Sequence, residues 1–444
     1  MPLGLRVLLP VYTFLIEAVV WVALVPALWV HARLTRSARV ELAQRLGRVP
    51  LRSSSTTSAR PIIVHGVSVG EMNAAEPLVA ALGAAAQRVW LTSGTAAGLS
   101  TAQRLARIHS TIDDVAYLPW DRRAVRRWLR AAQPSAVVVM ETEIWPHLFT
   151  ACAALQIPLF IANGRIRPGD VWKYRLGSAL IGPVLRSATW IGVQSPEERE
   201  RWLSIGAPAD RVEVAGNLKF DAALDPPPTP PFDLHDASGR PVIVAGSTHD
   251  SEERWLIECA CALARDGRPV RLVLAPRHVS RADAVVRIAR SLGCQSLAWS
   301  EWRSHTTAPW DVLVLDAFGL LRPCYADADI VVIGGTFVPV GGHNLLEAAA
   351  LARPMVIGPH VSGIAAMLAP FDDADAVVRV SGDNTARALT EACRRLIDDP
   401  TRARAMGEAA AAVCQRGAGS AARYARAIAT RCRVPVGDAR SSAR

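Results

Sequence analysis

Asp225-Pro-Pro-Pro-Thr-Pro-Pro231 is the stretch on which the fold of this 444-residue chain turns. Five of its seven residues are proline, which fixes φ and has no N–H to donate, so the stretch cannot sit in a packed helix or a central strand. It reads as a semi-rigid spacer. Upstream, short apolar runs at 61–65, 88–92, 136–140, 158–162, 190–193 and 212–215 alternate with helical patterns. Downstream, runs at 242–245, 271–275, 312–315, 330–333, 355–357 and 376–380 repeat the alternation. Most are continuously apolar, as in parallel strands covered on both faces. The expectation is an α/β chain of two Rossmann-like, doubly wound domains facing a cleft, at 60–224 and 232–432. The spacer occupies 225–231, a Ser/Thr-rich lead-in 52–60, and a frayed tail 433–444.

Composition bounds the function. Half the residues are hydrophobic and a fifth charged, which is globular rather than disordered. A formal net charge of +10 favours acidic partners: nucleotide phosphates, nucleic acid or an anionic membrane. The eight cysteines form no CxxC pair and no zinc-spaced cluster, so they read as reduced core thiols. No Walker lysine, GxGxxG or HExxH is present, which weakens ATPase, dinucleotide and metalloprotease readings.

Residues 7–30 are almost wholly apolar, with Glu17 the only charge. At about 1.5 Å per residue they reach roughly 36 Å, enough to cross a bilayer core. His31, Arg33, Arg36 and Arg39 follow while only Arg6 precedes, which places the rest of the chain on the cytoplasmic side. A membrane anchor at 1–33 is expected. Glu17 would cost about 2.5–3.5 kcal/mol at a bilayer centre, so a helix lying in the interface stays open beside one that spans.

Strand ends carry the candidate chemistry. His65-Gly-Val-Ser-Val-Gly-Glu71 follows the first run. Glu71 would sit at a helix N-terminus, either as a base or simply as a cap; His65 reads as a core-edge residue. Glu141-Thr-Glu143 places two acids at a strand end, where repulsion calls for a turn between them. Arg122, Arg123, Arg126, Arg127 and Arg130 share one helix face, suited equally to lipid headgroups and to solvent. Lys219 in Asn217-Leu-Lys219-Phe-Asp221 could stabilise developing negative charge, although a lone lysine is ordinarily just solvated. Downstream, Arg277 in Ala275-Pro-Arg277-His278 suits a phosphate. Asp316-Ala-Phe-Gly319-Leu320 supplies a small turn. Gly341-Gly342-His343-Asn344-Leu345-Leu346-Glu347 lets backbone approach a phosphate, with Glu347 placed for ribose hydroxyls or for a plain capping turn.

With these segments in view, the sequence resembles the 3-deoxy-D-manno-octulosonic acid (Kdo) transferases of lipopolysaccharide assembly. The marks are HGVSVGE at 65–71, METEIWP at 140–146, GNLKFD at 216–221, AGSTH at 245–249, APRH at 275–278 and GGHNLLEAA at 341–349. The resemblance implies a GT-B fold and inverting transfer of Kdo from CMP-Kdo to the lipid A precursor lipid IVA, with no metal or other cofactor and no nucleic acid. It implies Glu71 as the general base, Glu141 and Lys219 as transition-state stabilisers, and Pro276, Arg277, Phe318, Gly319, Leu320, Asn344, Leu345, Leu346 and Glu347 as CMP-contacting positions. It also implies the cytoplasmic face of the bacterial inner membrane, beside its anionic lipid surface. Oligomeric state stays open. The competing readings are a GT-B enzyme or epimerase using a UDP-sugar, and a membrane-tethered nucleotide-binding scaffold without activity.

Overall fold

The computed structural model describes residues 3–48, 60–224, 233–235, 238–304, 308–381 and 385–432. The proline spacer 225–231, most of the lead-in and the tail 433–444 lie outside the described residues. The chain divides into two compact units, Met1–Ala222 with Ala418–Arg444, and Ala223–Gly417.

The first unit holds β1 (Ile62–Gly66), β2 (Val89–Ser93), β3 (Ile112–Tyr117), β4 (Ala136–Met140), β5 (Leu159–Gly164), β6 (Trp190–Val193) and β7 (Val212–Val214). They form one parallel sheet in the order β3-β2-β1-β4-β5-β6-β7. Successive strand residues face opposite ways. Ile62 and Val64 therefore enter one core cluster with Leu78 and Phe160, while Ile63 enters another with Trp128, Phe149 and Trp202. This two-sided burial is why the runs are apolar without alternation.

The second unit repeats the plan with β8 (Val242–Thr248), β9 (Arg271–Pro276), β10 (Ser296–Ala298), β11 (Val312–Val314), β12 (Ile330–Ile333), β13 (Met355–Ile357) and β14 (Val377–Arg379). Their order is β10-β11-β9-β8-β12-β13-β14, again parallel. In each sheet the winding reverses beside the first strand, between β1 and β4 and between β8 and β12. That reversal opens a crevice at the strands' carboxyl ends, where doubly wound sheets take ligands.

One expected boundary is corrected. The second domain does not run to 432, because the helix Ser420–Cys432 belongs to the first unit. Its Ala421, Tyr424, Ala425 and Ile428 form a buried stripe at helical spacing and join the cluster containing Trp190. The Tyr424 hydroxyl donates to the Gly216 carbonyl at 3.0 Å. Asp221 caps the helix, accepting from Gly419 N at 2.9 Å and Ser420 N at 3.1 Å. Gly216 has φ +93°, and a Cβ there would strike Ser420 Oγ. Gly216→Ala is therefore expected to cost about 1–3 kcal/mol, read as a lowered thermal midpoint.

The N-terminal helix Leu3–Val19 continues through a π-helical turn, Val20–Leu24, into Val25–Leu34. Leu5–Arg33 is long and apolar enough to cross a membrane. Its first half is nonetheless docked on the unit. Leu5 is buried in the Trp128 cluster, and the Tyr12 hydroxyl donates to Asp121 Oδ2 at 2.7 Å. Thr13 lies 3.1 Å from His147, and Glu17 pairs with Arg122 at 2.9 Å. The acid that is costly in lipid thus has a cation. Phe14 and Val22, 74 % and 79 % exposed, point away from these contacts.

Candidate active site

Glu71 enters the first unit's crevice from the helix Val69–Ala84, which follows β1. Ser68 caps that helix through Glu71 N at 3.2 Å, and its hydroxyl donates back to Glu71 Oε1 at 2.7 Å. Val67 N donates to Oε2, also at 2.7 Å. The capping role that the sequence left open is therefore realised in full. It does not exhaust the group, since each carboxylate oxygen has a second lone pair. Burial raises the Glu71 pKa above the ordinary carboxylate value, opposed by the Val67 and Ser68 hydrogen bonds and reinforced by the charge of Glu141. His65, also on β1, is fully buried, and its Nδ1 lies 3.0 Å from Thr92 O. Burial pushes its pKa down to about 4, so it is a neutral core residue, as expected.

Glu141 follows β4 with φ +54°, a left-handed conformation unusual for a residue with a side chain. The turn breaks the strand period and separates Glu141 from Glu143. Lys219 comes from the short helix Leu218–Ala223 after β7, and its Nζ lies 3.7 Å from Glu141 Oε1. The structure thus brings Glu71, Glu141 and Lys219 to one end of one sheet.

Glu143, the second acid of the pair at this strand end, is held in a distinct setting. It accepts a 2.7 Å bond from Trp145 Nε1. Burial, then the charges of Glu71 and Glu141, push its pKa up to about 7. Between pH 4.5 and 7 an unfolded chain ionises this group while the folded chain keeps it protonated, so its penalty grows as pH rises through that window. Glu143→Gln is expected to leave stability unchanged at pH 4 and to raise it by about 1–3 kcal/mol at pH 8. Thermal midpoints at both values check this.

In the second unit the positions expected to meet the donor follow β9, its neighbour β11, and β12 on the far side of β8. Pro276 ends β9, and Arg277 beyond it is exposed, with its N–H donating to Thr248 O at 2.8 Å. Phe318 to Leu320 follow β11; Phe318 is 82 % exposed and Gly319 has φ +86°. Asn344 and Glu347 bracket the start of the helix Leu346–Ala350. Asn344 Nδ2 donates to Glu347 Oε1 at 3.1 Å, and Leu346 N donates to Asn344 Oδ1 at 3.2 Å. Burial raises the Glu347 pKa against the Asn344 bond and the Arg322 charge. Leu345 and Leu346 are wholly buried, backbone included, and neither faces the crevice. That narrows what the sequence assigned to them.

Three comparisons bear on this geometry. A family described as 3-deoxy-D-manno-octulosonic-acid transferase (kdotransferase) matches residues 40–222. A 3-deoxy-D-manno-octulosonic acid transferase of Bordetella pertussis is 34 % identical over 399 residues, covering 85 % of this chain and 89 % of the relative. A protein of the same description from Haemophilus influenzae is 28 % identical over 381 residues, covering 84 % and 86 %. Among solved structures, a glycosyltransferase of Rickettsia africae superposes with a TM-score of 0.57 at 11 % identity, covering 84 % and 98 %. That likeness concerns the fold alone, which is GT-B.

Proposed function

We propose, because the chain belongs to the Kdo transferases, that it moves Kdo from CMP-Kdo to the lipid A precursor lipid IVA with inversion at the anomeric carbon. The observation that carries this reading is the convergence of Glu71, Glu141 and Lys219 at one crevice. Glu71 accepts the proton of the acceptor's sugar hydroxyl as that oxygen attacks the anomeric carbon and the bond to the cytidylate oxygen breaks. Lys219, steadied by Glu141, meets the negative charge that builds as the bond breaks. Arg277 grips the leaving phosphate, so the reading routes no step through a metal. Asn344 and Glu347 face the ribose, Phe318 to Leu320 complete the nucleotide's surroundings, and the buried Leu345 and Leu346 hold the loop from beneath. The apolar helix and the arginines Arg123, Arg126, Arg127 and Arg130, exposed on the face opposite Val125, Trp128 and Leu129, support a place at the cytoplasmic face of the inner membrane.

The test is mass spectrometry of products from CMP-Kdo and a tetra-acylated lipid A precursor, with the anomeric outcome read by NMR. A mass gain of one or more Kdo residues is expected. Turnover of UDP-sugars alone, or retention of configuration, overturns the reading.

A further inference from the structure

His249 and His343 lie 94 residues apart and meet on opposite sides of the second unit's crevice. His249 follows β8, and His343 stands in the glycine loop after β12, the two strands between which the winding reverses. Their Nε2 atoms are 2.8 Å apart, and the rings are nearly coplanar, 7° between planes with centroids 5.1 Å apart. At that distance one Nε2–H donates to the other's lone pair, which makes the two rings one unit of proton storage. One further proton goes to an Nδ1, where the shared hydrogen bond becomes charge-assisted. A second would turn two N–H groups on each other. The pair takes one proton and no more.

The loops that carry the pair are fixed by a buried acid. Glu252 accepts from His249 N at 2.8 Å, Gly335 N at 2.9 Å and Phe337 N at 3.0 Å, tying the end of β8 to the segment after β12. A Cβ at Gly335 would strike the His343 ring, so the loop has closed down on that ring. Around the pair stand Arg277 and His278 after β9, and Arg281, whose charge is met by Asp250 at 2.8 Å and Glu253 at 3.3 Å. His278 lies edge-on to His249, with centroids 6.2 Å apart. Apart from the anchored acids, the surroundings are cationic.

We propose that His249 and His343 act as a single proton-taking site that becomes cationic when the donor's phosphate enters this crevice, and that holds the growing charge of the departing nucleotide. The inference rests on the CMP-sugar reading above. Burial is the main cause lowering both pKa values, with His343 at about 4, and neighbouring positive groups add to it. The pair is therefore neutral near pH 7. An anion beside it reverses that balance. On transfer, cleavage of the glycosyl–oxygen bond converts a phosphodiester with one negative charge into a monoester approaching two. The added proton, drawn from solvent on binding and released with CMP, offsets the difference.

Calorimetric titration of the full-length protein with CMP, repeated at pH 7 in buffers of different ionisation enthalpy, counts protons taken up per nucleotide bound. The same titration with the methyl ester of CMP, a phosphodiester that does not titrate near pH 7, removes the nucleotide's own proton from the count. The parent is expected to take up more than His343→Asn or His249→Asn, by roughly half a proton or more given the pair's lowered pKa values. Both variants should bind CMP about tenfold or more weakly at pH 6.5, with the gap closing by pH 8.5. Equal uptake by parent and variants, all binding CMP, overturns the inference and leaves the nucleotide reading intact. If one variant loses its thermal midpoint, the other decides, since either removes the shared proton. A parent that takes up the proton with UMP but refuses CMP keeps the pair and overturns the cytidylate reading. A parent that binds neither overturns both.

Discussion

Glu71→Gln is expected to lower Kdo transfer by about 10²–10⁴-fold, with little change in thermal midpoint. The substitution deletes only the charge and basicity. A glutamine oxygen can still accept from Val67 N, which bonds Glu71 Oε2 at 2.7 Å, so the first turn of the helix Val69–Ala84 stays closed. The parent's raised pKa also makes a pH prediction. Because the working form is the carboxylate, activity should fall as pH drops through the Glu71 pKa, at higher pH than an ordinary glutamate would give. Steady-state rates with CMP-Kdo and the lipid precursor from pH 5 to 8 measure both effects. A variant that keeps more than a tenth of parental turnover sinks the base assignment and returns Glu71 to its capping role.

Lys219→Met should cost about 10²–10³-fold in kcat with little change in KM, the pattern of a group that acts on charge present only in the transition state. The 3.7 Å spacing to Glu141 Oε1 is loose for an ion pair, so the ammonium is held in place without being neutralised. Lys219→Arg is expected to restore little, because a planar fork cannot occupy the place of a compact point charge. A KM rise at constant kcat would instead make Lys219 a substrate-binding residue.

Sequence patterning carried the fold a long way, for a physical reason. Central strands buried on both faces must be apolar throughout, which marks ten of the fourteen strands among the described residues, and the edge strands β7 and β14 show through their valines. The two missed strands lie at sheet edges. β3 carries Asp113 and Asp114, which an edge tolerates and a central strand does not, while β10, Ser296–Ala298, has no β-branched residue to mark it. The helix Ser420–Cys432 was assigned to the wrong unit because its amphipathic stripe says that a partner exists and not which one. Asp221 and Gly216 supply the missing information only once they are seen against it. Glu71 and Glu141 stood out as acids at strand ends. Glu143's burial, Glu17's partner Arg122 and the His249–His343 contact depend on residues far away in the chain, and no local pattern encodes them.

The return of the chain to its first unit sets an order of assembly at the ribosome. Seven strands of the first sheet are made before any of the second unit, yet the slot filled by Tyr424 and Ile428 stays open until the last helix emerges. At about 5–20 residues per second, the intervening stretch takes roughly 10–40 s to synthesise. Through that interval the nascent first unit shows water an apolar face beside Trp190, while the second unit, contiguous in sequence, can complete itself. The part of the molecule made first is thus finished last.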